Sequence, residues 1–461
     1  MVSGPVTGGH GWAFGSSPVE HLDARGYVLE EYLIEGEADS YELAPGSEVT
    51  TDSAWDTVSG KPAPYKTRMM VVRPRDPSKF NGIVLLNWQN VTAGVDLGAP
   101  TDEEMFRQGY VWVGATVQQV AMTGVTVTMP GYDLPPVKGL PAWDPARYGT
   151  LSHPGDAYCF DMYAQIGRAI SGRRAGGPDP MHGLVPSKII AMGGSQSAAC
   201  LAGYLGVAHA HDRLFDGFLL EVHWGNSMWP HHSKTVVLPG GDIVGTYQVR
   251  DDLGVPIFVV NSETEAWSVF PVRQPDTDTY RFWEVAGGTH GGNRPVDALA
   301  EIMARDGVET LGMLDSAGRN TIDWSCVQSA ALRAMTAWVT EGTPPPTFPL
   351  IELVEGPLLD SVVRDANGNA KGGVRIPEME APIAAQWGVN STPDMLAKLS
   401  GERHPFSEEQ LRALYPSRDA YLSQYDAAAE RLVQAGGLLP EDLPAVRAHG
   451  RELADALPHD T

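Results

Sequence analysis

The sequence is poor in cysteine. Its three cysteines, Cys159, Cys200 and Cys326, are widely spaced and form neither a C-x-x-C pair nor a zinc-binding pattern. A low and odd number argues against a disulfide scaffold and is typical of proteins from a reducing compartment. We expect each thiol to be buried as a small apolar group.

Positive charge and long apolar runs are also scarce. The chain has 33 Lys and Arg against 57 Asp and Glu, which gives a formal net charge of −24 at pH 7. Because nucleic acids and anionic membranes attract basic surfaces, this charge argues against both as partners. No apolar run reaches the roughly 18 residues of a transmembrane helix, and residues 1–10 lack the basic and apolar regions of a signal peptide. The sequence therefore predicts a cytoplasmic protein and leaves its oligomeric state open.

What the chain does contain is an alternation of strand-like and helix-like stretches, from about residue 26 to residue 340. This pattern predicts an α/β fold with a mostly parallel sheet and helices on both faces. Short apolar runs bounded by polar or turn residues mark the strands. The eight predicted strands are Tyr27–Glu35, Thr67–Arg73, Gly82–Leu86, Tyr110–Thr116, Lys188–Met192, Gly217–Glu221, Pro256–Val260 and Tyr280–Val285.

Two further regions are interpreted as additions to this core. A cap insertion is predicted at about residues 223–252, because Trp, His and Pro residues there interrupt the path between two strands. The main domain would span residues 1–345, including this cap. Residues 346–461 would form a C-terminal extension, extended at first and then helical, packed on the main domain. A separate C-terminal domain is the alternative, but no flexible linker separates the two parts.

The stretch Lys188–Cys200, with the sequence KIIAMGGSQSAAC, carries the strongest chemical signal. An apolar strand meets a tight turn with Ser195 at its tip, and a helix-like run follows at once. This is the layout of a nucleophile elbow, which holds a serine in a strained conformation with its hydroxyl exposed in a cleft. The usual G-x-S-x-G pattern is here G-x-S-x-S, with Gly193 and Ser197 as the small flanking residues. The alternatives are a Gly/Ser-rich turn without chemistry and a loop that cradles phosphate.

Candidates for an acid and a base follow Ser195 in the order expected after a nucleophile elbow. Glu263 and Glu265 come just after the strand Pro256–Val260, where open α/β sheets carry their site residues. His290, the candidate general base, follows the last predicted strand in a loop with two glycines on either side, which leaves room for a substrate. We expect Glu265 to orient this histidine, because it lies at the usual distance past the strand end. Glu263 is the second candidate for that role.

On these residues the chain resembles the α/β-hydrolase family, and more closely a group of bacterial proteins described only as alpha/beta hydrolase domain proteins. The resemblance spreads over most of the chain. It implies the eight-stranded α/β-hydrolase fold and esterase chemistry with a serine nucleophile, but it does not imply a substrate. Besides the serine turn, the segments that carry it are Phe80–Gly94, Arg147–Tyr158, Trp283–His290 and Gly368–Pro377.

The reaction that these residues predict passes through a tetrahedral intermediate, whose oxyanion needs hydrogen-bond donors. One donor should be the backbone N–H of Gln196, directly after the nucleophile. A second should come from the loop after the strand Gly82–Leu86, at the backbone of Gln89 or Asn90. The alternative for this loop is a hydrogen-bonded brace that has no contact with the substrate.

Six large side chains near these loops predict a hydrophobic substrate pocket, although packing of the cap on the sheet is the alternative for them. The sequence therefore predicts a serine carboxylic-ester hydrolase that acts through an acyl-enzyme on a hydrophobic small-molecule ester. The alternatives are an acyltransferase, lactonase or thioesterase with the same residues, or a non-catalytic binding protein. No metal or other cofactor is expected, because His231 and His232 lack partner ligands and are interpreted as surface histidines. The pocket candidates are Trp88, Trp224, Met228, Trp229, Trp267 and Phe270.

Overall fold

The structure is a computed structural model. It describes residues 1–124, 128–129, 132–133, 136–173, 176–229, 246–292, 294–308, 318–356, 361–391 and 399–458. His231, His232 and the middle of the predicted cap, residues 230–245, lie outside the described residues. The cap and the division of the chain near residue 346 stay predictions.

Most strands belong to one large sheet, and two short two-stranded sheets accompany it. The strands are β1 (Val2–Ser3), β2 (Tyr27–Leu43), β3 (Thr57–Pro74), β4 (Ile83–Trp88), β5 (Val111–Ala115), β6 (Thr128–Met129), β7 (Tyr132–Asp133), β8 (Lys188–Gly194), β9 (Gly217–Glu221), β10 (Ile257–Ser262), β11 (Tyr280–Val285), β12 (Ala384–Trp387) and β13 (Glu402–Pro405).

Among the described residues, the large sheet has nine strands, in the order β1-β2-β3-β5-β4-β8-β9-β10-β11. The six strands from β5 to β11 in this order run parallel, whereas β1, β2 and β3 are antiparallel to their neighbours. The predicted mostly parallel sheet is confirmed, but the predicted number of eight strands is one too few. The sequence did not reveal β1, because two residues are too few to show an apolar period.

Helices pack on both faces of this sheet, and further helices pack within the C-terminal segment. They are α1 (Val19–Ala24), α2 (Glu103–Gln108), α3 (Val120–Thr123), α4 (Leu140–Trp143), α5 (Pro145–Tyr148), α6 (Cys159–Ile170), α7 (Gln196–Val207), α8 (His209–Asp212), α9 (Glu263–Val269), α10 (Arg294–Arg305), α11 (Ser325–Glu341), α12 (Pro377–Glu380), α13 (Glu408–Leu414), α14 (Arg418–Ala435) and α15 (Leu443–Leu453).

Successive residues of the parallel strands pack into two different cores. In β10, Ile257 and Val259 belong to one buried cluster, which α6 and α7 also line, whereas Phe258 and Val260 belong to a second cluster, lined by α11. Because side chains alternate across a strand, a strand covered on both faces has to be apolar throughout. This explains the short continuous apolar runs by which the sequence marks these strands.

The chain after residue 346 completes the second core. Val374 and Leu432 are buried in the same cluster as Trp283 of β11. Val374 also pairs with the edge of β11, because its N–H donates to the Glu284 carbonyl at 2.6 Å and its own carbonyl accepts from the Ala286 N–H at 3.0 Å. The C-terminal segment therefore packs directly on the sheet and covers part of its last strand.

The cysteines are free thiols. Cys159 and Cys200 are buried, as expected, while Cys326 is only partly buried. Burial raises the pKa of each of the three thiols, which keeps them protonated and unreactive at neutral pH. Within the described ranges, no helix is both long enough and apolar enough to cross a membrane.

Two buried histidines make the stability of the fold depend on pH. Burial lowers the pKa of both His209 and His223 to about 4. An unfolded chain takes up a proton at these imidazoles below a pH of about 6.5, whereas the folded chain does not until about pH 4. The unfolded state therefore binds more protons in this window, and the free energy of unfolding falls as the pH drops through it.

We predict that His209→Phe weakens this pH dependence. The His209 ring packs edge-on against Phe218 at 5.0 Å between centroids, and its Nδ1 atom has no hydrogen-bond partner, so a phenyl ring keeps the packing. Between pH 7 and 5 the free energy of unfolding should fall by on the order of 2 kcal/mol less in the variant than in the parent. Urea unfolding at the two pH values measures this, with the exposed His21→Gln as control. An unchanged pH dependence in His209→Phe would contradict the neutral buried state.

Candidate active site

Ser195 stands in a sharp turn between a strand and a helix. β8 ends at Gly194 and α7 begins at Gln196. The backbone of Ser195 has φ +60° and ψ −121°, which is strained for a residue with a side chain. Its N–H donates to the Glu221 carbonyl of the neighbouring strand at 2.9 Å, which helps to keep the turn in place. The turn therefore has the geometry of a nucleophile elbow.

The residues two places before and after Ser195 touch each other. A Cβ atom at Gly193 would lie 2.8 Å from the Cβ of Ser197 and 3.1 Å from its backbone carbon, so the turn closes only around a glycine. Ser197 is fully buried, and its hydroxyl has no hydrogen-bond partner in the described structure. The G-x-S-x-S pattern fits this turn because the second flanking position needs only a small side chain.

His290 reaches Ser195 from the loop after β11. Its Nε2 atom lies 2.8 Å from the Ser195 hydroxyl oxygen, and its backbone N–H donates to the Thr264 hydroxyl at 3.0 Å. The buried indole of Trp224 stacks on the imidazole, with 4.8 Å between ring centroids and 30° between the planes. Contacts to the backbone of His290, to one face of its ring and to its ring nitrogens therefore fix the orientation of the imidazole.

Glu265 binds the other ring nitrogen of His290. Its Oε1 atom lies 2.6 Å from Nδ1, and its Oε2 atom accepts from the N–H and the hydroxyl of Ser262, at 2.9 and 2.6 Å. Ser262 and Glu265 form the capping box at the start of α9, so the acid is turned back towards the strand end. The carboxylate is fully buried, and both of its oxygen atoms have partners. The structure thus brings Ser195, His290 and Glu265 into one hydrogen-bonded chain.

Glu263, the second candidate acid, makes no hydrogen bond to the His290 ring in the described contacts. Its carboxylate accepts from the N–H of Gly287 at 2.8 Å and from the N–H of Gly388 at 3.0 Å, and it pairs with Arg364 at 3.1 Å. The S-x-x-E spacing of the capping box is the sequence signal that distinguishes the two acids. A capping glutamate folds back over the first turn of the helix, whereas the first helical residue does not.

The predicted second oxyanion donors are wrong. The N–H of Gln89 already donates to the Ala115 carbonyl at 3.1 Å, and the N–H of Asn90 donates to the Leu97 carbonyl at 3.0 Å. The first predicted donor, the N–H of Gln196, lies at the first turn of α7, where backbone N–H groups have no partner within the helix.

The loop after β4 braces the serine turn instead. The Asn90 side chain donates to the Gly194 carbonyl at 3.1 Å, and the Val91 N–H donates to the Gln196 side chain at 3.1 Å. These bonds grip the residues on both sides of Ser195, which is the brace that the sequence left as the alternative. The adjacent Thr92 hydroxyl is buried and has no hydrogen-bond partner among the described residues.

A buried ion cluster anchors the far end of this loop. Arg68 is fully buried and pairs with Asp96 of the loop and with Glu31 of β2, each at 2.9 Å. Arg147 pairs with the second oxygen of Glu31 at 2.6 Å. Since an unpaired charge at such depth would be strongly destabilising, this cluster holds the loop to the sheet.

Among the six pocket candidates, Trp224 contacts a residue of the hydrogen-bonded chain that includes Ser195. Trp224 stacks on His290, as described above. Trp88 is buried in the first core, where its indole N–H donates to Gln118. Met228 and Trp229 belong to the same core.

The last two pocket candidates, Trp267 and Phe270, lie in and just after α9. The Trp267 indole N–H points at the Gly356 carbonyl, 3.4 Å away. Phe270 is 40% exposed and lies beneath Arg273. Of the six side chains of the predicted hydrophobic pocket, the structure therefore places Trp224 at His290 and Trp88, Met228 and Trp229 in the first core. Trp88 is the last residue of β4 and Trp267 lies within α9, not in the predicted loops, and the sequence does not show to which side of its element a large apolar side chain turns.

A second feature is a cavity of about 940 Å³ near the carboxyl ends of β4, β8 and β9. Its wall includes Asn87, Met192 and Glu221, together with residues of α2, α11 and the C-terminal helices, but neither Ser195 nor His290. Burial raises the pKa of Glu221 to about 7 and that of Asp102, also on the wall, to about 6. No sequence pattern pointed to this cavity. In the part of the chain that the structure describes, no cluster of His, Cys, Asp or Glu could hold a metal ion.

Comparison with known proteins identifies a family. A family model described as alpha/beta hydrolase domain matches residues 2–448. None of the curated proteins matches the chain. Among solved structures, the esterase Est22 aligns with 15% identity and a TM-score of 0.30, over 64% of this chain and 83% of that one.

Peptidases are also among the similar structures. A prolyl endopeptidase aligns with 12% identity and a TM-score of 0.27, over 63% of this chain and 39% of its own. Oligopeptidase B from Trypanosoma brucei aligns with 10% identity and a TM-score of 0.29, over 62% of this chain and 38% of its own. Identities and TM-scores this low give no information about the substrate.

We predict that the two neighbouring acids differ in their effect on the reactivity of Ser195. Glu265→Gln should slow labelling of Ser195 by a fluorophosphonate on the order of 10³- to 10⁴-fold, because an amide no longer fixes the imidazole tautomer. Glu263→Gln is the matched control, and it should slow labelling much less. The rate of labelling, followed by mass spectrometry of the serine peptide, measures both. The reverse ranking would assign the orienting role to Glu263.

Proposed function

Because the chain belongs to the alpha/beta hydrolase domain family, we propose that it is a serine hydrolase that cleaves carboxylic esters through an acyl-enzyme. The observation that carries the proposal is the chain of short contacts at the strained turn. Ser195 Oγ lies 2.8 Å from His290 Nε2, and His290 Nδ1 lies 2.6 Å from Glu265.

The proposed reaction follows from this arrangement. His290 takes the proton of the Ser195 hydroxyl as its oxygen attacks the carbonyl carbon of the ester. When the tetrahedral intermediate collapses, the bond to the alcohol breaks, and His290 returns the proton to the leaving oxygen. Water then attacks the acyl-enzyme by the same route, and the acid product leaves. Glu265 stabilises the imidazolium throughout.

The N-terminus of α7 supplies the environment for the oxyanion. The N–H of Gln196 follows the nucleophile directly, and the helix dipole favours negative charge at this end. The brace from Asn90 and Val91 supports this role, because it holds the residues on either side of Ser195 before the substrate arrives. A donor that is already in place costs no reorganisation during the reaction.

The described contacts bear differently on the alternatives to ester hydrolysis. An acyltransferase, lactonase or thioesterase would use the same three residues, and none of the described contacts favours one of them over ester hydrolysis. A non-catalytic binding protein would have no need for a buried carboxylate, an imidazole and a strained serine in hydrogen-bond contact. The arrangement therefore supports catalysis at Ser195 over binding alone, and we propose ester hydrolysis as its reaction.

We predict that Ser195→Ala lowers ester turnover by roughly 10³-fold or more without unfolding the protein. Ser197→Ala is the matched control, since it removes the same atom two residues away. That hydroxyl has no hydrogen-bond partner, so the control should keep its activity. Hydrolysis of p-nitrophenyl butyrate, with a thermal melt of each variant, measures the difference. A fully active Ser195→Ala enzyme would refute the serine mechanism.

We predict that neutral apolar esters are better substrates than anionic ones. Trp224 gives the site an apolar aromatic wall beside His290, and Arg273 and Arg281 are already paired with Glu284 and Asp276. The net charge of −24 adds a repulsion of anions, screened at physiological salt. The kcat/KM for a neutral aryl ester should exceed that for a dicarboxylate monoester of similar size about tenfold or more. A preference for the anionic ester would reject the hydrophobic substrate and leave the serine mechanism intact.

A further inference from the structure

The carboxylate of Glu263 joins three segments of the chain. Glu263 is the first residue of α9 and is 1% exposed. One oxygen accepts from the N–H of Gly287, in the loop that carries His290, at 2.8 Å. The other accepts from the N–H of Gly388 at 3.0 Å and pairs with Arg364 at 3.1 Å, both in the C-terminal segment. A buried carboxylate is tolerated only with such partners, so these contacts fix the three segments to one another.

A second set of bonds runs parallel to the first. The Thr264 hydroxyl donates to the Gly388 carbonyl and accepts the backbone N–H of His290 at 3.0 Å. One oxygen atom therefore connects residue 388 to the backbone of the histidine. The Asn320 side chain adds a further link, because it donates to the Gly287 carbonyl at 2.7 Å and to the Trp387 carbonyl at 2.9 Å.

Gly388 packs directly against α9, and the position has no room for a side chain. A Cβ atom at Gly388 would lie 2.5 Å from the Cβ of Glu263, 2.7 Å from the Gly288 carbonyl oxygen and 2.8 Å from the Thr264 nitrogen. Two of these three neighbours are backbone atoms, which cannot rotate away. The close approach of the C-terminal segment to the acid helix and the histidine loop therefore requires glycine at this position.

Arg364 is held in one orientation. Its guanidinium lies 4.2 Å from the centroid of the Trp387 ring and also donates to the Gly368 carbonyl. Only 14% of its side chain is exposed. Stacking and hydrogen bonds together aim the guanidinium at Glu263, and a lysine would lack both the planar face and the fork of donors.

We propose that Arg364, Glu263 and Gly388 form a clamp through which the C-terminal segment positions His290 for the reaction. The proposal rests on the proposed serine mechanism. None of the three residues hydrogen-bonds to Ser195, to the imidazole ring or to Glu265 in the described contacts, so they are positioning residues. Their effect is on the distance and angle between His290 Nε2 and the Ser195 hydroxyl, and a displacement of about 1 Å there can cost about 100-fold in rate.

The test uses Arg364→Ala in the full chain, with kcat and KM for p-nitrophenyl butyrate and the rate of fluorophosphonate labelling of Ser195. We expect kcat and the labelling rate to fall about 10- to 100-fold, with KM nearly unchanged. Added guanidinium ion should restore part of both rates, because it can occupy the space beside Trp387 and Glu263. Sodium chloride at the same concentration should not. Rescue by guanidinium is an outcome that loss of folding alone would not give.

Two further variants complete the design. Arg418→Ala removes an arginine of the same segment that pairs with Asp455 at 2.6 Å, and it should leave both rates unchanged. Arg364→Lys keeps the charge and should give rates between those of the parent and of Arg364→Ala. It also provides the comparison if the alanine variant does not fold.

The outcomes separate the clamp from the serine mechanism. Parental rates in both Arg364 variants, with Ser195→Ala inactive, would overturn the clamp alone. A loss of rate in Arg364→Ala that guanidinium does not restore would also overturn it. Activity in Ser195→Ala would instead overturn the mechanism on which the clamp rests.

Discussion

The parallel register of β8, β9, β10 and β11 is the constraint on which the site depends. Gly194 lies opposite Glu221, Glu221 lies opposite Val260, and β10 runs level with β11 as far as Ser262 and Val285. Neighbouring strands are about 4.8 Å apart, so segments that follow adjacent strands begin close together, whereas β8 and β11, separated by β9 and β10, lie roughly 14 Å apart and the turn and loop that follow them bridge this distance. The turn with Ser195, the helix with Glu265 and the loop with His290 leave the same edge of the sheet. Residues 25 to 95 positions apart in the chain meet there as a consequence of pairing.

Much of this could be predicted from the sequence because it depends on local pattern. Apolar runs mark strands that are covered on both faces, and the small residues around Ser195 mark a turn that a Cβ atom at Gly193 would block. The order of Ser195, Glu265 and His290 then follows from the order of the strands. The sequence also contains the signal that separates Glu265 from Glu263, because the S-x-x-E spacing from Ser262 indicates which acid folds back over the helix start.

The failures have a common physical cause. Whether the N–H of Gln89 is free depends on Ala115, on a different strand, and whether the Trp88 ring faces a cleft depends on the helix packed above it. Both are decided by tertiary contacts that leave no periodic mark in the sequence. The same holds for Glu263, two of whose partners, Arg364 and Gly388, lie 101 and 125 residues further along the chain.

The pairing of Val374 with β11 has a consequence for how the chain can be divided. β11 is the last strand of the sheet, and every residue of it is buried. Without the segment after residue 346, its outer row of N–H and C=O groups would face solvent beside an apolar surface. Such an edge is a template for pairing with another chain. A shortened polypeptide that ends soon after β11 would therefore be prone to self-association. A stable shortened form has to keep the segment that pairs with β11.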